Sequence, residues 1–512
     1  MKKLIFVLFV LSVLTLQAQI SKIDTTILKS IKKEALQNSK SSEMLTALCD
    51  EIGPRVTWSP EYNKAIDWAS AKLKEFNLQN INKESIDLVG KSWTMKKYYA
   101  YITEPFFMPL IAYPKVWSPA TNGEIECEVI YLDAKTENDL EKYKGKLKGK
   151  IVLFAEPYGE EPYRKLINRY TDSTLLGLEK NTIPSKEYKD KFAKRKAEID
   201  VQMLPYFNFI AKKIEFCKNE GALLIFDHGY KYYGITQVWG ATMTVPAKDQ
   251  IELLIRLASI PNLPETLPQM SVSLEQYNHL VRLCKKGKTV KIQANVDVKF
   301  QEPQQGFNLL AEIPGTDLKD EIVIIGAHID SYHVGLSAAD NTAGVVTCME
   351  AMRVIQKLDI KPRRTIRIGL WAGEEQGYLG STAYIKNHFT NSNEKCYAYF
   401  NMDNGAGRFR GIYAQENEGA MKLFIEWMNV INDPKFKTVD ISEADNTDHV
   451  PFDKAGIPGF QFIQDELEYY KIYHTNADMV ERVPRDDMKQ NAYYMAVFAY
   501  LAAIRDGGFP QK

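Results

Sequence analysis

The spacing of hydrophobic and polar residues divides the chain into three parts. In the first part apolar residues recur at helical spacing, for example Ile66, Ala69 and Leu73, which predicts amphipathic helices. Short β-rich runs broken by glycine, lysine and aspartate begin near Gly123 and predict a region of strands. From about Gly306 strand-like and helix-like segments alternate, which predicts a largely parallel sheet covered by helices on both faces.

These patterns favour an α/β fold: a mixed, mostly parallel sheet flanked by helices, with an inserted β-rich domain. A chain of 512 residues is longer than one average domain. The expected division is residues 1–18 for a signal peptide, 19–120 for the N-terminal part of the main domain, 121–300 for the inserted domain and 301–512 for the rest of the main domain.

A charged and aromatic stretch, Tyr158–Phe207, interrupts the strands of the inserted region. Its second half has helical character. We interpret the stretch as a solvated surface insertion and keep a lid over a binding site as the alternative.

The N-terminus has the three parts of an export signal. Lys2 and Lys3 precede an apolar run, Leu4–Leu16, and the small Ala18 follows. The run is shorter than the roughly 20 residues that a membrane-spanning helix needs. We therefore expect Met1–Ala18 to be removed and the mature protein to be exported, either secreted or periplasmic, without a membrane anchor.

Composition narrows the range of partners. Lysine plus arginine and aspartate plus glutamate number 65 each, so the formal net charge is zero. This balance leaves no excess of positive charge that would attract nucleic acid or an anionic membrane. The six cysteines are scattered without a C-x-x-C pair, so they are expected to be core residues, and their disulfide pairing is left open.

Acidic and histidine residues follow the apolar runs of the last part of the chain. In parallel sheets ligands bind outside the carboxyl ends of the strands, so these side chains are expected at one sheet edge. They are His328, Asp330, Asp340, Glu374, Glu375, Asp403 and His474.

Taken singly, most of these residues have an ordinary structural explanation. Asp340 could cap a helix, Asp403 could form a turn, and His474 could be a hydrogen-bonded core histidine. Together they place several carboxylates at one edge with few positive partners, and a bound cation would compensate that charge.

The types of ligand indicate which cation. Two histidines with three or more carboxylates, and no thiolate, form a set that suits Zn²⁺. Five ligands are too many for one tetrahedral zinc with an open position, and they suit two metal ions that share a carboxylate.

Five motifs follow one another along the last part of the chain. They are HIDSYHVGLSAADNTAG, WAGEEQG, NMDNGAG, TDHVPFDKAGIP and HTNAD. In these motifs the chain resembles the M28 family of co-catalytic zinc exopeptidases, and LCDEIGPRVTWSPEYNKAIDWASAKL resembles the N-terminal region of that family. The resemblance covers most of the chain after the signal peptide, and it implies that residues 121–300 are a protease-associated domain.

The resemblance implies two zinc ions per chain and a ligand for each position. His328 and Glu375 would bind one zinc. Asp403 and His474 would bind the other, and Asp340 would bridge the two.

It also implies roles for residues that do not bind metal. Glu374 would be the general base, and Asp330 would orient the imidazole of His328. Asp448 and His449 are further candidates that could support the ligands or touch substrate. The reaction implied is hydrolysis of a terminal peptide bond of a peptide or dipeptide by a metal-activated water.

Several alternatives stay open. The enzyme could be an aminopeptidase or a carboxypeptidase-like dipeptidase. A glutaminyl-cyclase-like acyl transferase and a non-catalytic binding protein could share the fold. The sequence does not decide whether the chain forms a homodimer.

Overall fold

The structure is a computed structural model, and it describes residues 24–157, 169–245, 259–261, 265–390, 392 and 394–512. The expected signal peptide lies outside the described residues, as does the start of the Tyr158–Phe207 stretch.

The described helices and strands alternate through most of the chain. The α-helices are α1 (Thr25–Gln37), α2 (Ser41–Thr46), α3 (Pro60–Glu75), α4 (Glu137–Leu140), α5 (Asp172–Leu178), α6 (Lys186–Asn219), α7 (Leu274–Lys285), α8 (Ala343–Lys357), α9 (Leu379–Ile385), α10 (Glu418–Ile431), α11 (His449–Lys454), α12 (Tyr469–Ile472) and α13 (Arg485–Ile504). The strands are β1 (Gln79–Glu104), β2 (Met108–Pro109), β3 (Ala112–Pro114), β4 (Ile125–Tyr131), β5 (Ile151–Leu153), β6 (Leu224–Gly229), β7 (Gln269–Ser273), β8 (Lys291–Ile313), β9 (Leu318–His328), β10 (Arg364–Trp371), β11 (Lys395–Asn401), β12 (Phe409–Tyr413), β13 (Thr438–Asp440) and β14 (Gly459–Gln464).

The strands form one mixed sheet with two halves. In the first half the order is β13-β12-β14-β11-β9-β10-β8, and β10, β9, β11 and β14 run parallel. In the second half the order continues β8-β4-β5-β6-β7-β3, with β4 to β7 parallel. The long antiparallel pair of β1 and β8 runs through both halves and joins them.

Burial follows the hydrophobic pattern of the strands. In the first part of β8 the side chains alternate, with Ile292, Ala294 and Val296 buried and their neighbours partly exposed. At its end, Leu309–Ile313 is almost wholly buried, as is β10, because helices cover both faces of the sheet there. The two patterns are those of a half-exposed antiparallel strand and a central parallel strand.

The predicted α/β class, a mixed sheet flanked by helices, is confirmed. Helix α8 is buried along most of its length and packs against the sheet and α13. The proposed domain boundaries at residues 120 and 300 stay a prediction.

The described part of Tyr158–Phe207 is mostly exposed, as expected for a surface insertion, and ion pairs also tie it to the last part of the chain. Arg169 forms ion pairs with Asp465 (2.8 Å) and Asp487 (2.6 Å). Lys189, in the first turn of α6, pairs with Glu416. Two of its basic residues therefore face acidic partners, whereas most of its other charged residues are exposed. Hydrophobic patterning cannot distinguish these two situations.

Within the described part of the chain, no helix has both the length and the apolar character needed to cross a membrane. All six cysteines are described and none is in a disulfide.

Candidate metal centre

Three neighbouring parallel strands deliver most of the candidate residues to one sheet edge. His328 is the last residue of β9, Glu374 and Glu375 follow β10, and Asp403 follows β11. Strand β9 lies between the other two strands. Their carboxyl ends therefore meet at one place, as the sequence predicts.

The other two candidates come from loops. Asp340 lies in the turn before α8, and His474 lies just after α12. Both side chains are buried, with 5% and 7% of their surface exposed.

The side chains form a compact cluster around Asp340. One oxygen of Asp340, Oδ1, is 3.4 Å from Nε2 of His328. The other oxygen, Oδ2, is 3.1 Å from Nε2 of His474. Asp403 Oδ1 lies 3.7 Å from Nε2 of His328, and Glu375 Oε2 lies 2.9 Å from Nε2 of His474. A carboxylate that faces one imidazole with each oxygen has the arrangement of a bridging ligand.

These spacings fit a pair of metal ions. Zinc binds nitrogen and oxygen ligands at about 2.0–2.2 Å, so two ligands at a tetrahedral angle are roughly 3.3 Å apart. Among the residues that the structure describes, Nε2 of His328 and Oε1 of Glu375 are also buried without a hydrogen-bond partner. Buried polar atoms are rarely left unpaired, and the residues present therefore fit zinc.

The shortest contacts differ from the pairing that the family resemblance implies. That pairing placed His328 with Glu375 and Asp403 with His474. In the structure His328 lies beside Asp403, and His474 lies beside Glu375. Strand β9 lies between β10 and β11, so His328 has Glu375 on one side and Asp403 on the other. The loop after α12 then places His474 beside Glu375.

A main-chain carbonyl sets the tautomer of His328. Nδ1 lies 3.1 Å from the carbonyl oxygen of Asp330. Because a carbonyl can only accept, Nδ1 carries the proton, and the lone pair of Nε2 points into the cluster.

The carboxylate of Asp330 supports the turn that carries the two glutamates, and its expected role in orienting His328 stays a prediction. It lies 3.6 Å from Nδ1 of His328, beyond hydrogen-bond distance. It accepts hydrogen bonds from the main-chain N–H groups of Glu374 (3.2 Å) and Glu375 (3.3 Å) and from the hydroxyl of Thr57 (2.9 Å). Asp330 therefore links the His328 loop to the turn that carries both glutamates.

Asp478, which the sequence reasoning missed, supports Asp340 in the same way. Its carboxylate accepts from the N–H of Ala339 (2.7 Å) and of Asp340 (3.1 Å), and burial raises its pKa to about 7. The motif HTNAD contains this residue, so the signal was present but had no assigned role.

The pKa shifts of the cluster are those expected where several buried carboxylates lie close together. Burial by itself would lower the pKa of His474, but Glu375 and Asp340 outweigh it and raise that pKa to about 10. Burial raises the pKa of Glu375 to about 7. Zinc binds deprotonated carboxylates and neutral imidazoles, so metal binding would displace the protons that these shifts favour.

Glu374 is partly exposed to the cleft. Burial raises its pKa well above the ordinary value, and the carboxylates of Asp403, Asp448 and Glu375 add to the shift. One oxygen of Glu374 lies within 4.8 Å of ligand atoms of His328 and Asp403.

Asp448 and His449 are fully buried. Asp448 accepts a hydrogen bond from Ser381 (2.6 Å), and Nε2 of His449 bonds to the carbonyl of Ala444 (3.0 Å). Burial lowers the pKa of His449 to about 4, so the ring is neutral. Their burial favours support of the cleft wall over contact with substrate.

An open cleft of about 820 Å³ lies over the cluster. Its walls are rich in tyrosine and in acidic groups, and three of its residues, Tyr170, Lys196 and Trp239, come from the region 121–300. The sequence reasoning singled out none of the three, because one residue of this kind carries no local signal. The acidic and aromatic lining includes Tyr170, Trp239, Tyr378, Tyr413, Glu443, Asp445, Glu466, Tyr469, Tyr470 and Tyr473.

Comparisons with known proteins agree with the resemblance. Residues 308–499 match the model of "Peptidase family M28". Carboxypeptidase Q of Mus musculus is 24% identical over 475 residues, which cover 93% of this chain and 88% of that protein. Carboxypeptidase Q of Homo sapiens is 24% identical over 477 residues, 93% of this chain and 87% of that one.

Two solved structures share the fold. A peptidase M28 precursor from Shewanella amazonensis SB2B has a TM-score of 0.68 at 23% identity, covering 95% of this chain and 98% of that one. BSAP, a zinc aminopeptidase from Bacillus subtilis, has a TM-score of 0.56 at 16% identity, covering 91% and 95%.

The family match and the carboxypeptidase Q relatives support a peptidase, and the buried imidazoles and carboxylates at the strand ends agree with a metal-dependent one. Residues 308–499, which carry the site, match peptidase family M28, so the family recognised from the sequence is confirmed.

Proposed function

We propose that this protein is an exported zinc exopeptidase that hydrolyses terminal peptide bonds of peptides or dipeptides. The observation that carries the proposal is the Asp340 carboxylate, which faces His328 with one oxygen and His474 with the other. Export rests on the N-terminal pattern of Met1–Ala18.

Two zinc ions per chain would share Asp340. His328 and Asp403 would complete one site, and Glu375 and His474 the other, since these pairs make the shortest contacts. Bound zinc acts as a Lewis acid that polarises a carbonyl and lowers the pKa of water toward neutrality.

Glu374 would act as the general base and acid of the reaction. Its main-chain N–H bonds to Asp330, which holds the turn, and its carboxylate reaches the open cleft beside His328 and Asp403. It would take a proton from the attacking water and donate it to the leaving amine.

The charge of the cleft supports recognition of a free amino terminus. Besides the proposed ligands and base, its lining carries Glu443, Asp445 and Glu466. Among the described lining residues, lysine and arginine are represented by the exposed Lys196 and Lys454 alone. This excess of acid favours an ammonium group over a carboxylate, although the relatives reported above are named carboxypeptidases.

Metal analysis and blocked substrates test the proposal. We expect two zinc ions per purified mature chain, and less than one would contradict the metal centre. A free dipeptide and its C-terminal amide should be hydrolysed, whereas its N-acetylated form should not. Equal hydrolysis of the N-acetylated form would rule out amino-terminal specificity but leave the zinc site standing.

A further inference from the structure

A segment of the inserted region lies directly against the loop that carries His474. The main-chain N–H of Val238 donates a hydrogen bond to the carbonyl of His474 (3.0 Å). Gln237 and Thr475 pair as an isolated antiparallel bridge. Residues 237–238 therefore act as a short edge strand for the loop with the proposed ligand.

Three aromatic rings contact the imidazole of His474, one of them that of its neighbour Tyr473, with ring centroids 4.9 Å apart. The indole of Trp239 meets it edge-on, with ring centroids 4.6 Å apart and an interplanar angle of 84°. The ring of Tyr332, in the loop after β9, lies 4.2 Å away at 34°. Contacts of this geometry are favourable for aromatic rings, and together they restrict how the imidazole can turn.

The imidazole depends on this packing because the usual hydrogen bond is missing. A ligating histidine generally donates its second ring N–H to a carbonyl or carboxylate, which fixes the ring. His328 does so through Asp330. Nδ1 of His474 is buried without a hydrogen-bond partner among the described residues, and the residue has a φ of 56°, which non-glycine residues seldom adopt.

The segment that carries Trp239 is itself held in place. The N–H of Val116 donates to the carbonyl of Trp239 (3.2 Å), and the N–H of Ala241 donates to the carbonyl of Val116 (2.8 Å). Thr236 donates its N–H to the side chain of Asn476 (2.8 Å). The indole is therefore presented by main-chain contacts on both sides.

We propose that Trp239 is a positioning residue for His474, and that the inserted region thereby forms part of the metal centre. The proposal rests on the proposed function, because it assumes that His474 binds zinc. Packing against Trp239 orients His474, as the hydrogen bond from Nδ1 to the carbonyl of Asp330 orients His328.

Zinc affinity is the test, because it does not depend on catalysis. The full-length chain, stripped of metal, is titrated with zinc against a chromophoric chelator, and the fold is checked by circular dichroism. In Trp239→Ala one of the two affinities should fall about 10–100-fold, the usual effect of removing a group that orients a ligand, while the other stays unchanged. Trp239→Phe should keep both within about threefold, since a ring can still pack against the imidazole.

Trp117→Ala is the matched control. Trp117 is buried in the same hydrophobic cluster as Tyr332 and donates its N–H to Lys91. The ring of Trp117 packs against that of Trp58, with centroids 6.4 Å apart, and among the described residues it has no ring contact with His474. This variant should lose stability but keep both zinc affinities.

The outcomes separate this proposal from the function on which it rests. The proposal is overturned if folded Trp239→Ala keeps both zinc affinities within twofold of wild type. It is also overturned if Trp117→Ala loses as much zinc affinity as Trp239→Ala. If Trp239→Ala does not fold, Trp239→Leu, which keeps much of the apolar volume without a ring, decides by the same criteria. A wild-type chain that binds no zinc would overturn both this proposal and the metal centre.

Discussion

Glu374 and Glu375 are adjacent in the chain, yet their surroundings differ. Glu375 is buried and faces His474, while Glu374 is partly exposed to the cleft. The short helical turn Glu374–Gln376 begins after Gly373, which has a φ of 64°. This turn sends two consecutive side chains toward one space, whereas in a continuing strand they would point to opposite faces.

Replacement of Glu374 tests whether it is the general base while Glu375 is a zinc ligand. Glu374→Gln should keep the fold and both zinc ions but lower kcat roughly 10²–10⁴-fold, because the amide cannot accept the proton. Glu375→Gln is the control, and it should lose zinc. Near-normal turnover of zinc-loaded Glu374→Gln would show that another group is the base.

At the scale of elements, an ion cluster joins α9 to β1. His388, in the turn after α9, lies 3.0 Å from Glu394 through Nδ1 and bonds to Glu84 of β1 through Nε2. Its ring also stacks on Tyr384 at 4.2 Å. Burial alone would lower the pKa of His388, but Glu394 and Glu84 raise it to about 9.

This shift predicts how stability depends on pH. Because the pKa is raised above the unfolded value of about 6.5, the stabilisation is complete below about pH 6.5. It is lost as pH rises through about 9. Replacement by glutamine, His388→Gln, should lower the free energy of unfolding by about 1–3 kcal/mol at pH 6, and the difference should shrink by pH 9.5.

Denaturant unfolding at several pH values measures this difference. His279→Gln is the control, because burial lowers the pKa of His279 and its contribution has the opposite sign. A difference between wild type and His388→Gln that stays constant from pH 6 to 9.5 would contradict the assignment.

At the scale of the whole molecule, the inserted region is tied to the main domain by charge. Arg169 pairs with Asp465, which is fully buried, and Asp487, which is 5% exposed. The next residue, Tyr170, donates its hydroxyl to Glu466 and lines the cleft. The same contacts therefore dock the segment and shape the substrate site.

Removal of this arginine should cost more than an ordinary ion pair. In Arg169→Ala two buried carboxylates keep Arg410 and Arg408 as partners but lose Arg169. This loss should lower the free energy of unfolding by about 1–3 kcal/mol and raise KM through the displaced Tyr170. The matched control is Arg363→Ala. Arg363 also binds two aspartates, but Asp317 and Asp506 are about half exposed, so the loss should be about 1 kcal/mol or less. Equal losses in the two variants would contradict the docking role.

The strand-end residues could be predicted because their cause is local. Alternating strands and helices imply a parallel sheet, and a parallel sheet gathers whatever follows its strands at one edge. His328, Glu375 and Asp403 were brought together by that rule alone. The ion pairs that anchor the described part of Tyr158–Phe207 could not be predicted, because charged side chains look the same in sequence whether they face water or a partner.

The sequence by itself determined the α/β class, the family and the residues gathered at the sheet edge, since each depends on periodicity or on ordered short motifs. Only the tertiary structure decided which carboxylate lies beside His474, that the carboxylate of Asp330 holds the glutamate turn, and that Trp239 packs on a proposed ligand 235 positions away along the chain. Those contacts depend on how distant loops pack against each other, and no local spacing of residues encodes that packing.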